Sequence, residues 1–99
     1  MKRLSEVLAG SLDRPEVLKA AKAQMVMRRW EEVVGPTLAE HCQPERYDHG
    51  TVWVRASGSA WAQEIRTRQE DIVSRLNQLA QESGLFMNLR VGVRPWRNH

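Results

Sequence analysis

The sequence predicts an α+β fold in which helices cover one face of a three-stranded sheet, in the order α-α-β-β-α-β. Three observations carry this reading. Apolar residues recur at helical spacing within 4–12, 13–35 and 60–82, and alternate with a period of two over 51–56 and again from Leu85. Gly, Pro and Ser punctuate the changes of period at Gly35-Pro36, Ser57-Gly58-Ser59 and Ser83-Gly84.

Leu4, Val7, Leu8 and Leu12 fit a short amphipathic helix, weakened at its end by Gly10 and Ser11. Asp13, Pro15 and Glu16 supply a capping carboxylate, a first-turn proline and an acid near the free amides, so a long helix is predicted to follow. Its apolar stripe is Leu18, Ala21, Met25, Trp30 and Val33 or Val34, and Gly35-Pro36 ends it, with one further turn to Cys42. Tyr47 to Val52 reads as a strand entering a tight turn at Gly50. Val52, Val54 and Ala56 then alternate with Thr51, Trp53 and Arg55, so one face is apolar and the other carries an aromatic and a guanidinium. Trp61, Ile65, Ile72, Leu76 and Leu79 mark the stripe of a helix over 60–82; the polar run 67–71 leaves open whether it is one helix or two. From Leu85 a third strand points Leu85, Met87, Leu89, Val91 and Val93 one way and Phe86, Asn88, Arg90 and Arg94 the other. Residues 1–94 form a single domain, and 95–99 a short basic tail.

With 99 residues, 41% apolar and 27% charged, the chain has the composition of one small globular domain and excludes a multi-domain enzyme. One cysteine cannot form an internal disulfide, Glu6 interrupts any signal-peptide core, and no apolar run approaches bilayer length, so the expected location is cytoplasmic, with no membrane contact. The net charge of +3 lies wholly in the second half: residues 1–50 hold eight bases and eight acids, residues 51–99 seven arginines and four acids. Such an excess permits a polyanionic partner.

The expected open sheet face gathers Trp53, Arg55, Phe86, Arg90 and Arg94, the aromatic and guanidinium combination that holds single-stranded nucleic acid by stacking and phosphate contact. An ordinary solvated sheet face is the alternative reading. Arg66 and Arg68, with Arg75 two turns on, form a second basic group on the long helix, interleaved with Glu64, Glu70 and Asp71. Arg94 and Arg97 flank Trp96 in the tail. Trp61 sits on an apolar stripe, where core packing is the default, and would mark a partner contact if partly exposed, as would Trp96. His41, Cys42 and His49 lack the paired spacing of a zinc site, no phosphate-binding loop or nucleophile elbow occurs, and the carboxylate pairs Glu31-Glu32 and Glu70-Asp71 diverge on their helices. No enzyme activity, metal or cofactor is expected.

Trp30-Glu-Glu-Val-Val-Gly-Pro-Thr-Leu-Ala-Glu-His41, Pro44, Gly50-Thr-Val-Trp-Val-Arg-Ala-Ser57, Ser59-Ala-Trp-Ala-Gln-Glu-Ile65 and Asn77 together resemble the bacterial DciA family over about residues 4–94. The resemblance implies a fold like a type II K-homology domain. It also implies a DNA-binding accessory protein that helps load the DnaB-type replicative helicase onto single-stranded DNA, without ATPase activity of its own and associated with the nucleoid. Two departures bear on the transfer. No Gly-x-x-Gly loop, the phosphate clamp of nucleic-acid-binding K-homology domains, occurs in the chain. Many members carry a further tail implicated in partner contact, whereas this chain ends six residues after Val93, so the resemblance transfers the fold more fully than the helicase contact. The alternatives are a stand-alone K-homology-like module binding RNA or DNA, duplex DNA included, and a homodimeric protein-interaction domain.

Overall fold

The computed structural model describes residues 15–94. The expected helix at Leu4–Leu12, the Asp13 cap and the tail residues Trp96 and Arg97 lie outside them. The elements are α1 (Pro15–Met27), α2 (Trp30–Val34), α3 (Pro36–His41), β1 (Cys42–Asp48), β2 (Thr51–Ala56), α4 (Ser59–Thr67), α5 (Gln69–Ala80) and β3 (Asn88–Val93). The sheet order is β1-β2-β3, with β1 antiparallel and β3 parallel to the central β2. Among the described residues, helices pack on one face of this sheet and leave the other open, which is the predicted fold class.

The long helix expected up to Gly35 is divided at Arg28-Arg29. There the Arg29 amide donates to the Val26 carbonyl at 2.9 Å, an i−3 bond that tightens the last turn and redirects the chain. The buried stripe is accordingly Ala23, Val26, Met27, Trp30 and Val33, not the expected one through Met25, which is 45% exposed. Apolar residues lie all around residues 17–27, so spacing alone selects no single face. The redirection lets Trp30 Nε1 donate to the Cys42 carbonyl at 2.8 Å, fixing α2 to the start of β1.

Residues 60–82 form two helices joined at Arg68, whose amide is shared between the Glu64 and Ile65 carbonyls. The polar run 67–71 has no side chain to hold a continuous helix against the sheet. Ala62, Ile65, Ile72, Leu76 and Ala80 join Val52, Val54, Ala56 and Leu89 in one buried cluster that makes up much of the core.

The β1-β2 turn places His49 at φ 47° and Gly50 at φ 89°, the double positive φ of a primed hairpin turn. The Gly50 carbonyl accepts the Met87 and Asn88 amides at 2.7 and 3.1 Å, which ties the hairpin tip to the start of β3. Asn77 brackets the same connection from α5: its Nδ2 donates to the Phe86 carbonyl at 2.9 Å, and the Phe86 amide donates to its Oδ1 at 2.8 Å.

The third strand begins at Asn88 rather than Leu85, and the alternation expected across 85–94 is corrected at both ends. Leu85 and Phe86 are both buried, Met87 is 63% exposed, and Val93 is also exposed. Residues 85–87 belong to a connection held by Asn77 and Gly50, where strand parity does not apply.

Candidate nucleic-acid interface

β2 carries the centre of the open face. Its inward residues Val52, Val54 and Ala56 are buried, which turns Trp53 and Arg55 away from the helices. On the parallel side Arg90 is the register partner of Trp53. On the antiparallel side the register shifts between Pro44 and Arg46, a β-bulge with Glu45 as the extra residue, and Arg46 comes opposite Trp53. Arg46, Trp53 and Arg90 therefore form one row across all three strands.

The guanidinium of Arg46 lies 4.9 Å from the indole centroid and that of Arg90 6.0 Å, both within cation–π range. Trp53 is half-buried, and its Nε1 is buried with no hydrogen-bond partner among the described residues. The expectation of an exposed stacking ring is thus modified: the planar surface offered to solvent includes the guanidinium groups beside Trp53. Glu45, Arg46, Trp53, Arg66, Arg90 and Arg94 line one open groove of about 1010 Å³. Among the described residues four arginines and a single carboxylate line it. Arg94 binds both oxygens of Glu45, and Arg55 Nε lies 3.9 Å from Glu45 Oε2. The Arg94 amide donates to the Ala56 carbonyl at 2.9 Å, which fixes the base of that side chain beside β2.

The expected face loses one member. Phe86 is 1% exposed and meets Tyr47 edge-on at 5.4 Å, so it belongs to the core and offers no ring to a strand. The helix group is divided. Arg66 reaches the groove, Arg68 pairs with Glu64 at 2.7 Å beside Trp61 on another surface, and Arg75 pairs with Asp71 at 3.0 Å. Trp61 is partly buried and stacks on His41 with ring centroids 4.1 Å apart and planes 5° apart. It lines a hollow of about 430 Å³ with Gly35, Pro36 and Leu38. Arg97 and Trp96 lie outside the described residues.

Sequence reasoning missed Arg46 and Glu45 because it began the first strand at Tyr47. The available signal was parity: Arg46 precedes the inward Tyr47, and Pro44 is tolerated within a strand that forms a sheet edge. A bulge leaves no comparable mark in the sequence.

Cys42 is fully buried at one end of β1, while His49 is exposed beyond the other, 2.8 Å from Asp48. Among the described residues no three His, Cys, Asp or Glu side chains are grouped to hold a metal, and no helix is long and apolar enough to cross a membrane.

Over residues 3–85 the chain matches the family model described as Dna[CI] antecedent, DciA. The chain belongs to the DciA family. Curated relatives of this DciA chain carry the name UPF0232 protein. One from Streptomyces coelicolor is 46% identical over 55 residues, covering 54% of this chain and 29% of the relative. One from Mycobacterium tuberculosis is 35% identical over 52 residues, covering 52% and 28%. One from Rhodococcus jostii is 33% identical over 66 residues, covering 67% and 35%. The match thus spans only about a third of these relatives' length.

Proposed function

We propose that this DciA-family chain is a non-enzymatic DNA-binding accessory protein that helps place a DnaB-type replicative helicase on single-stranded DNA, with the open sheet face as the strand-binding surface. The row Arg46–Trp53–Arg90, set in a groove with Arg66 and Arg94, carries the DNA-binding part. Guanidinium planes stack on bases and pair with phosphates, and neither contact reads sequence. Family membership supports the helicase part. The helices laid on one face of an open sheet are compatible with the type II K-homology layout that the family resemblance implies. Without a Gly-x-x-Gly loop, phosphate contact falls to the arginine side chains.

The test is a titration of labelled single-stranded DNA with the purified protein at two salt concentrations, with and without the replicative helicase of the same organism. The expected result is salt-sensitive binding that persists in a ternary complex. Binding without any helicase effect would replace this reading by a stand-alone nucleic-acid module, with duplex DNA and RNA as the next probes. Absence of binding would leave a protein-interaction domain.

A further inference from the structure

The groove holds one acid among its arginines, and the strand geometry puts it there. Tyr47 faces inward, so strict alternation would also send Glu45 toward the helices; the bulge between Pro44 and Arg46 releases its carboxylate onto the open face instead. There it is held by Arg94 through both oxygens and approached by Arg55 at 3.9 Å. Carboxylate and phosphate present the same paired oxygens to a guanidinium. We propose that Glu45 is a built-in competitor for the phosphate backbone, occupying between Arg55 and Arg94 the place that a phosphate of the bound strand takes.

This inference rests on the reading of the sheet face as the strand-binding surface and adds a residue that limits its affinity. The Arg94 side chain is 63% exposed, so the pair with Glu45 is open to exchange in solvent. A pair of that kind shifts an equilibrium by at most about fivefold. Glu45 thereby lowers affinity for any polyanion by a modest factor, which suits a protein that must release the strand.

The experiment measures affinity for a labelled single-stranded oligothymidylate at two salt concentrations with five proteins: the native chain, Glu45→Gln, Arg94→Ala, the double variant, and Glu40→Gln. The last removes an equal charge from the exposed side of α3. Glu45→Gln is expected to tighten binding about two- to fivefold, because Arg94 then meets the phosphate without first giving up a carboxylate. Glu40→Gln is expected to change little, and the gain from Glu45→Gln to shrink in the Arg94→Ala background. An equal gain in Glu40→Gln, or an undiminished gain without Arg94, would overturn the competitor role. Arg90→Ala, measured alongside, separates the two layers. If it weakens binding while Glu45→Gln fails to tighten it, only the competitor falls; if it leaves binding unchanged, the sheet-face reading itself falls.

Discussion

Tyr47 shows how one side chain joins fold and titration. Its hydroxyl donates to the Leu85 carbonyl at 2.7 Å and its ring meets Phe86 edge-on, so it ties β1 to the connection before β3. Burial, with a smaller contribution from the Glu82 carboxylate, pushes the phenol above its ordinary value of 10.0 against a lowering by the Gly50 backbone. The folded state then holds the proton more tightly than the unfolded chain, so this stability is complete below the unfolded value and is lost as pH rises through the folded one. Denaturation followed from pH 8 to about 11 should show stability falling at the alkaline end, with the fall reduced in Tyr47→Phe. Tyrosinate absorbance reports the group directly, because Tyr47 is the only tyrosine. An ordinary tyrosine titration would refute the coupling. At the interface, Arg90→Ala should weaken single-stranded DNA binding and lower its logarithmic salt slope by about 0.7, the share of one phosphate. Fluorescence anisotropy over a salt series decides this, and an unchanged slope would remove Arg90 from the phosphate contacts.

The elements depend on a few fastenings that spacing does not reveal. Gly50 has a positive φ, and a Cβ there would stand 2.6 Å from Met87 Cε, so Gly50→Ala would strain the turn and push Met87 aside. Because the flexible, exposed Met87 can yield, a loss of about 1–2 kcal/mol is expected, mostly from the backbone. Asn77→Ala should cost more, about 1–3 kcal/mol, by leaving the Phe86 amide and carbonyl without partners. Urea denaturation ranks the two; equal or negligible losses would mean that the connection into β3 is held by other contacts. The central strand, the Gly35-Pro36 break and the Ser83-Gly84 region could be read from sequence because alternation and punctuation are local properties. The split at Arg28-Arg29, the bulge at Glu45 and the inward turn of Phe86 could not. Each arises where a tertiary contact, Trp30 with Cys42, Arg46 opposite Trp53 or Asn77 with Phe86, outweighs the local period. Of the expected interface, Trp53, Arg55, Arg90 and Arg94 share the open face as alternation implied; Arg46 needed the true start of β1.

At the scale of the whole molecule, the second-half excess of arginine becomes a difference between two sides. Arg66 faces the sheet groove, whereas Arg75 pairs with Asp71 and reaches the Val33 carbonyl in the helical layer. Charge effects decay over about 8 Å at physiological salt, so a charge in the helical layer acts on a strand held in the sheet groove less than one lining that groove. Arg66→Gln and Arg75→Gln remove the same charge and leave the same net charge, but only the first should weaken binding of single-stranded DNA. The expected loss is about two- to tenfold near 0.15 M salt, from one lost phosphate contact. Lowering the salt to 0.01 M lengthens screening to about 30 Å, and the two variants should then converge. Matched melting curves would exclude unfolding as the cause. If both variants lost affinity equally at physiological salt, binding would follow net charge alone and the row across the strands would have no special standing. A loss confined to Arg75→Gln would move the strand to the helical side, where Arg75 lines a separate hollow with Val33 and Asp71.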